Sequence, residues 1–129
     1  MIDDNPLEHF MMKKLRAKHG VFPNATHSLD AHASMALFTD NLHCGDMLPD
    51  VVFLDLEMPG FNGWDFLAEL EPLYPTLPKP LDLYVISSSI RSEDMSLAER
   101  YECVRAYFSK PISVPQLCKL WAHYAPQHA

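Results

Sequence analysis

Five polar side chains of this 129-residue sequence stand directly after apolar stretches, and together they could bind a cation and accept a phosphoryl group. They are Asp3, Asp4, Asp55, Ser87 and Lys110. Three carboxylates that lie close together repel one another and are stable mainly where a divalent cation joins them. Carboxylates, water and phosphate oxygens are the ligands that Mg²⁺ or Mn²⁺ prefers. The acidic residues therefore predict a cation site, if the fold brings them together.

Asp55 is the candidate nucleophile, because a carboxylate can attack phosphorus and form an aspartyl phosphate. Lys110 would then neutralise one phosphoryl oxygen, and the hydroxyl of Ser87 would hydrogen-bond another. Each residue also has an ordinary explanation: a solvated acid or lysine at a strand end, a turn serine, or acids that stabilise the positive end of a helix. Their joint occurrence at successive strand ends favours one shared site.

Alternating strands and helices predict that these strand ends meet. The run Val51–Leu54 is apolar and mostly β-branched or aromatic, which is typical of a strand buried on both faces, here Asp50–Leu56. Further strands are predicted at Ala25–Ser28, Leu81–Ile86 and Val104–Phe108. About five alternations imply an α/β fold, with a parallel sheet covered by helices on both faces. Ligand sites in such sheets lie at the carboxyl ends of the strands.

Capping residues and helical spacing place the helices. The first follows Asn5-Pro6, repeats apolar residues at helical spacing and ends at Gly20; its apolar residues are Leu7, Phe10, Met11 and Leu15. Further helices are predicted over Ala31–Asn41 after Asp30, over Trp64–Leu70, and from a Ser92 cap to about Tyr101. A capping box of Ser113 and Gln116 begins the last, which buries Leu117, Leu120, Trp121 and Tyr124. Pro72, Pro75, Pro78 and Pro80 predict an extended stretch that is neither helix nor central strand.

Composition excludes several other classes of function. A net charge of −7 disfavours nucleic acid and anionic lipid as partners, because both need clustered Lys and Arg. Three cysteines without a CxxC pair indicate reduced thiols in the cytoplasm and no zinc cluster. Four glycines form no nucleotide-binding loop. The sequence has neither a membrane-spanning run nor a signal peptide pattern. Its length fits one domain.

The combined pattern resembles the receiver domain of two-component response regulators over essentially the whole chain. The residues that carry the resemblance are Asp3-Asp4, Asp55 with Met58-Pro59 and Gly63, Ser87, and Lys110-Pro111. It implies a doubly wound, flavodoxin-like sheet of five parallel strands in the order 2-1-3-4-5, counted along the chain. It also implies that Asp55 accepts a phosphoryl group from a histidine kinase or phosphotransfer protein, with Mg²⁺ required.

The resemblance assigns further roles to residues around Asp55. The main-chain carbonyl of Glu57 would complete the protein ligands of the cation. Phosphorylation would draw the Ser87 hydroxyl inward and let Tyr107 swing toward the core. The side chains of Glu57 and Ser89 would flank the water that removes the phosphate. The bond before Pro111 is expected to be cis. The helix after Ser92, the strand through Tyr107 and the last helix would report the phosphorylated state.

Two features depart from the family pattern. Only Met1-Ile2 precedes the acidic pair, so the first strand is expected to be shortened. The sequence reaches residue 129 shortly after the last helix, so we expect a stand-alone receiver without an output domain, which would act through another protein. Whether phosphorylation drives a homodimer stays open.

Two rival functions remain at this stage. An aspartate-nucleophile phosphatase would also place its acid after a buried strand, but it needs a second aspartate two residues later, where this chain has Glu57. A receiver fold could also serve as an interaction module that is never phosphorylated. Turnover of a phosphomonoester would support the first, and absence of Mg²⁺ binding the second.

Overall fold

A parallel sheet with helices on both faces organises residues 1–125, which are the residues that the computed structural model describes. The helices are α1 (Pro6–His19), α2 (Ala31–Asp40), α3 (Gly63–Leu73), α4 (Ser92–Glu99) and α5 (Val114–Tyr124). The regular strands are β1 (Val51–Leu54), β2 (Asp82–Ser87) and β3 (Val104–Ser109). Single 3-10 turns lie at Gly45–Met47 and Tyr74–Thr76.

The strand order confirms the predicted doubly wound fold. β2 lies between β1 and β3, and both pairs are parallel. Ile2 makes one parallel bridge to Leu54 and another to Ser28, so the segments run in the order Ser28, Ile2, β1, β2, β3. This is the order 2-1-3-4-5, with the first two members each reduced to a single bridging residue, Ser28 and Ile2.

The expected strand over Ala25–Ser28 is therefore wrong in extent, because Ser28 is the residue of that stretch that pairs, and the segment before the acidic pair contributes Ile2 to the sheet. Ser28 accepts the amide of Asp3 and donates its own amide to Met1, and the chain then turns at once. Its hydroxyl bonds to the main chain of Asp30, the residue that caps α2. Because both partners turn into helices at this point, no longer ladder forms.

Two hydrophobic layers cover the sheet, one on each face. Residues Val52 and Leu54 of β1 face the layer made by α2, α3 and α4, whereas Phe53 faces the layer made by α1 and α5. The first layer includes Met35, Phe38, Phe66, Leu67, Leu70, Leu83, Val85 and Ala98. The second includes Met12, Tyr84, Ile86, Ile112 and Leu117. This two-sided burial confirms the reading of Val51–Leu54 as a strand with helices on both faces.

Helix α1 has the predicted caps, but three of its four apolar residues that recur at helical spacing are exposed. Leu7, Phe10 and Met11 are 60%, 54% and 45% exposed, whereas His9 and Met12 are buried. Hydropathy favours the opposite orientation, but the ring of His9 hydrogen-bonds two groups beneath the helix. The ammonium of Lys14 also lies 4.7 Å from the ring of Phe10, over its outer side. The inner face of α1 thus combines the hydrogen bonds of His9 with the packing of Met12 and Leu15.

Two further local predictions are corrected. Helix α3 continues through Pro72 to Leu73, because a proline in the last turn removes only one helical hydrogen bond and its φ is already helical. Ser92 is the first helical residue of α4, and Arg91 occupies the cap position without a side-chain bond. The capping box of Ser113 and Gln116 at α5 is present as predicted.

Candidate functional site

Asp55 lies directly after β1 and is only 4% exposed. Its amide donates to the carbonyl of Ile2 at 2.9 Å, so the first bridge of the sheet holds its backbone. Its Oδ1 accepts the amide of Glu57 at 3.3 Å. Burial raises the pKa of Asp55 to about 6, against the lowering effect of Lys110, and the charge of Asp3 adds to the rise. The ionised carboxylate is thus held in a place that disfavours its charge.

The structure brings Asp3, Asp4 and Asp55 together at the carboxyl end of the sheet. One carboxylate oxygen from each lies within 4.8 Å of the others. Asp3 is 1% exposed, and Asp4 is half-buried at the rim. Oxygen ligands of this kind, beside a carboxylate whose charge is disfavoured, fit a hard divalent cation. Among the described residues this is the one cluster with such a donor set.

Lys110 joins the two buried acids from the end of β3. Its Nζ lies 2.8 Å from Oδ2 of Asp3 and 3.5 Å from Oδ2 of Asp55. Burial lowers the pKa of Lys110, but the hydrogen bond from its ammonium to Asp3 and the charge of Asp55 outweigh burial and raise it above its ordinary value. The following peptide bond to Pro111 is cis, as the resemblance implies. The ammonium is therefore charged and aimed at the acidic cluster.

Ser87 and Tyr107 meet through the backbone of Ser89. Ser87 is fully buried at the end of β2, and its Oγ accepts the amide of Ser89 at 3.2 Å. The hydroxyl of Tyr107, on β3, donates to the carbonyl of Ser89 at 2.9 Å. Tyr107 is partly buried against the first layer. One loop residue thus connects the strand-end hydroxyl with the aromatic residue that sequence reasoning singled out.

The side chains of Glu57 and Ser89 already have partners. Glu57 is exposed, and its Oε2 accepts the hydroxyl of Ser88 at 3.0 Å. The hydroxyl of Ser89 donates to Oδ2 of Asp94, in the first turn of α4, at 2.6 Å. Sequence reasoning missed Ser88 and Asp94, because a hydrogen bond between a loop and a distant residue has no local pattern.

Gly63 is required by a close approach at the start of α3. A Cβ at this position would lie 2.3 Å from the carbonyl oxygen of Asp55 and 2.6 Å from Cα of Leu56. The amide of Gly63 also donates to the carbonyl of Leu56 at 3.2 Å. The helix therefore packs directly on the backbone that carries the candidate nucleophile.

No helix among residues 1–125 combines the length and the apolar character needed to cross a lipid bilayer.

A cleft of about 510 Å³ opens beside the acidic cluster; it is lined by Asp4, Leu29, Asp30, Ala31, His32, Met58, Pro59 and Phe61. The cleft thus borders the acidic cluster at Asp4.

Solved structures with this fold match nearly the whole chain. A two-component response regulator from Cytophaga hutchinsonii is 24% identical, with a TM-score of 0.79, and the match covers 95% of this chain and 91% of that one. A response regulator receiver protein from Dyadobacter fermentans is 28% identical, with a TM-score of 0.76, over 98% and 95% of the two chains. The CheX-CheY-BeF3-Mg complex from Borrelia burgdorferi is 14% identical, with a TM-score of 0.73, over 97% and 87%. Comparisons with protein-family models and with curated proteins gave no match.

Proposed function

We propose that this chain, which has the fold of response regulator receiver domains, is a signalling switch that accepts a phosphoryl group on Asp55. The observation that carries the proposal is the environment of that carboxylate. It is buried, its pKa is raised to about 6, and the Lys110 ammonium and the carboxylate of Asp3 lie beside it. When this carboxylate bonds to phosphorus, its buried negative charge is replaced by charge on the phosphoryl oxygens, which nearby cations can stabilise.

The proposed transfer is a direct displacement at phosphorus. An oxygen of Asp55 forms a bond to phosphorus while the bond from phosphorus to the donor breaks, and the bonding electron pair leaves with the donor. Lys110 is close enough to both buried acids to neutralise an oxygen of the arriving group. The hydroxyl of Ser87 would exchange its bond from the Ser89 amide for one donated to another phosphoryl oxygen.

Asp3, Asp4 and Asp55, with the main-chain carbonyl of Glu57, would hold Mg²⁺ or Mn²⁺. When bound, this cation offsets the negative charge that gathers on the carboxylates and phosphoryl oxygens. The Borrelia burgdorferi neighbour, a complex with BeF3 and Mg²⁺, supports this assignment.

Acetyl phosphate and Mg²⁺ provide the direct test. We expect one hydroxylamine-labile phosphate per chain, lost in Asp55→Asn and retained in the exposed control Asp46→Asn, with intact-mass spectrometry as the measurement. A label that survives Asp55→Asn would overturn the assignment. Steady turnover of a phosphomonoester by the unphosphorylated protein would instead indicate a phosphatase.

The lifetime of the phosphate should depend on Glu57. Its carboxylate lies at the rim and, within residues 1–125, bonds to one exposed serine hydroxyl, so it could orient an attacking water once that bond opens. Glu57→Ala should change the rate of phosphate loss several-fold, whereas the exposed control Glu71→Ala should not. If phosphate is lost at the same rate in the two variants, Glu57 does not control the lifetime of the phosphate. Ser89→Ala should act in the same assay and also release Asp94.

The switch would pass from the site to α4, β3 and α5. When Ser87 turns toward a phosphoryl group, the backbone of Ser89 loses one partner, and the bond from Tyr107 to the same residue is then free to change. Ser89 also holds the first turn of α4 through Asp94. Tyr107→Phe should weaken the effect of phosphorylation on this face without preventing phosphorylation, which hydrogen exchange of α4 would measure.

The donor in this proposal is a histidine kinase or a phosphotransfer protein, and the output is a further protein. Cys44, Cys103 and Cys118 are free thiols, which fits the reducing cytoplasm that we propose as its location. A phosphorylation-dependent homodimer would appear as a mass change in solution when acetyl phosphate is added.

A further inference from the structure

A buried histidine stands behind the acidic cluster, at an inward-facing helix position of the kind that an apolar residue usually occupies. His9 is 4% exposed on the inner face of α1. One ring nitrogen, Nε2, lies 2.6 Å from the carbonyl oxygen of Asp3. The other, Nδ1, lies 2.6 Å from Nδ1 of His27. Nε2 of His27 in turn lies 2.9 Å from a guanidinium nitrogen of Arg16, whose other terminal nitrogen donates to the carbonyl of Phe22 at 2.8 Å.

The donors and acceptors of this chain of bonds are fixed by elimination. A guanidinium can only donate, so Nε2 of His27 accepts and the proton of that neutral ring is on Nδ1. This proton is donated to Nδ1 of His9, whose own proton is therefore on Nε2. A carbonyl can only accept, so His9 donates to Asp3. Every bond of this relay, which runs from Arg16 through His27 and His9 to Asp3, points toward Asp3. Both terminal nitrogens of Arg16 have partners, whereas its Nε is buried and makes no hydrogen bond to the described residues.

Asp3 has unusually little support from the sheet. Its amide donates to Ser28, but the ladder of the first strand ends there, because the only bridges in that strand are at Ile2. The amide of Asn5 donates to the carboxylate of Asp3, the amide of Leu7 donates to the side chain of Asn5, and Pro6 has no amide proton, so none of these residues supplies a backbone donor to the carbonyl of Asp3. His9 supplies that donor from the helix. The carboxylate on the same residue accepts Lys110 and the amide of Asn5.

We propose that His9, held by His27 and Arg16, is a positioning residue that fixes the backbone of Asp3 and thereby the carboxylates of Asp3 and Asp4 that take the cation. The bond from His9 holds the carbonyl of Asp3, as a hydrogen bond to a neighbouring strand would do if the first strand were longer. The role toward the cation rests on the proposed function, whereas the arrangement of the relay does not depend on it. Groups behind metal ligands commonly change metal affinity by about 10- to 100-fold when removed.

The arrangement is tested without cation or phosphate by the ring protons. Long-range ¹H–¹⁵N spectra at pH 7.5 in EDTA should show His9 protonated on Nε2 and His27 protonated on Nδ1. His9→Gln keeps one donor and one acceptor, so His27 should retain its form in that variant, whereas His9→Leu should release it. A spectrum with His9 protonated on Nδ1 would overturn the relay.

The role is tested by Mg²⁺ titration in a calorimeter, with no phosphoryl donor present. His9→Leu should weaken Mg²⁺ binding by about tenfold, and His9→Gln should stay within about threefold of the wild type. Met12→Ala is the matched control, because it empties a buried position three residues further along the same helix and removes no hydrogen bond of the relay. It should lower the melting temperature and leave Mg²⁺ affinity within about twofold.

His27→Leu provides a second variant if His9→Leu does not fold, since His27 is only half-buried, and it should weaken Mg²⁺ binding in the same direction. Equal Mg²⁺ affinity in the wild type and in the folded His9 or His27 variants overturns the inference. So does equal weakening by Met12→Ala. If the wild type binds Mg²⁺ but takes no phosphate, the proposed function fails while the inference is judged on these affinities. If it takes phosphate and His9→Leu keeps full affinity, only the inference fails.

Discussion

Replacing Asp55 by Asn should stabilise the protein when no divalent cation is present. The ionised carboxylate is buried beside Asp3, and its pKa rises from 3.8 to about 6. Two pKa units correspond to about 3 kcal/mol between the charged and neutral forms. Solvent at the mouth of the site screens part of this, so we expect Asp55→Asn to raise the free energy of unfolding by about 1–3 kcal/mol at pH 8.

The effect must depend on pH with a definite sign. The pKa of Asp55 is raised on folding, so its carboxyl group favours the folded state most when it is protonated, below the unfolded pKa of 3.8. As the pH rises through about 6 the group ionises in the folded protein, and this stabilisation is lost. The stability difference between Asp55→Asn and the wild type should therefore be largest at pH 8, fall to roughly half at pH 5, and vanish below 3.8.

Urea unfolding in EDTA at several pH values measures this difference, and each kcal/mol corresponds to roughly 3–5 °C in melting temperature for a domain of this size. Asp46→Asn, an exposed aspartate, is the control for removing one charge from an acidic protein. Mg²⁺ should stabilise the wild type and leave Asp55→Asn nearly unchanged. The reasoning is refuted if Asp55→Asn is no more stable than the wild type at pH 8, or if its gain is the same at pH 8 and below pH 4.

Two further predictions concern other parts of the site's support. Burial, the largest cause, and nearby positive charges lower the pKa of His27 to about 4. Between pH 4 and 6.5 His27 is therefore protonated in the unfolded chain but neutral in the folded one. The stability of the wild type relative to His27→Gln should consequently fall as the pH drops through that window, and a flat difference in urea midpoints would contradict this. Gly63→Ala should cost about 1–3 kcal/mol, because its Cβ meets the main chain of Asp55 and Leu56 rather than a movable side chain. The same variant should slow phosphorylation by acetyl phosphate, and native stability with native rate would show that the helix can shift freely.

The strands that end in the site were predictable because their signal is local. Four successive apolar residues followed by an acid mark the end of a buried strand at Asp55 without any knowledge of the partners. Capping residues are equally local, which explains the correct placement of α1 and α5. The convergence of the strand ends then follows from the parallel topology alone.

The errors lie where distant residues decide the outcome. Hydropathy favours Leu7, Phe10 and Met11 as the inner face of α1, but His9 turns inward to bond groups that the sequence does not show nearby. The strand expected over Ala25–Ser28 is reduced to Ser28 for the same reason, because its length depends on how soon both partners turn away. Ser88 and Asp94 likewise acquire their roles only through the folded loop after β2.

Ser89 gives the loop after β2 a cooperative character. Its amide donates to the hydroxyl of Ser87, its carbonyl accepts from the hydroxyl of Tyr107, and its own hydroxyl donates to the carboxylate of Asp94. A change in the backbone angles of this one residue would disturb all three bonds, and a half-changed loop would leave a buried polar group unpaired at a cost of about 1–3 kcal/mol. Intermediate arrangements are thereby disfavoured, so the loop should behave as a two-position element rather than as a graded one.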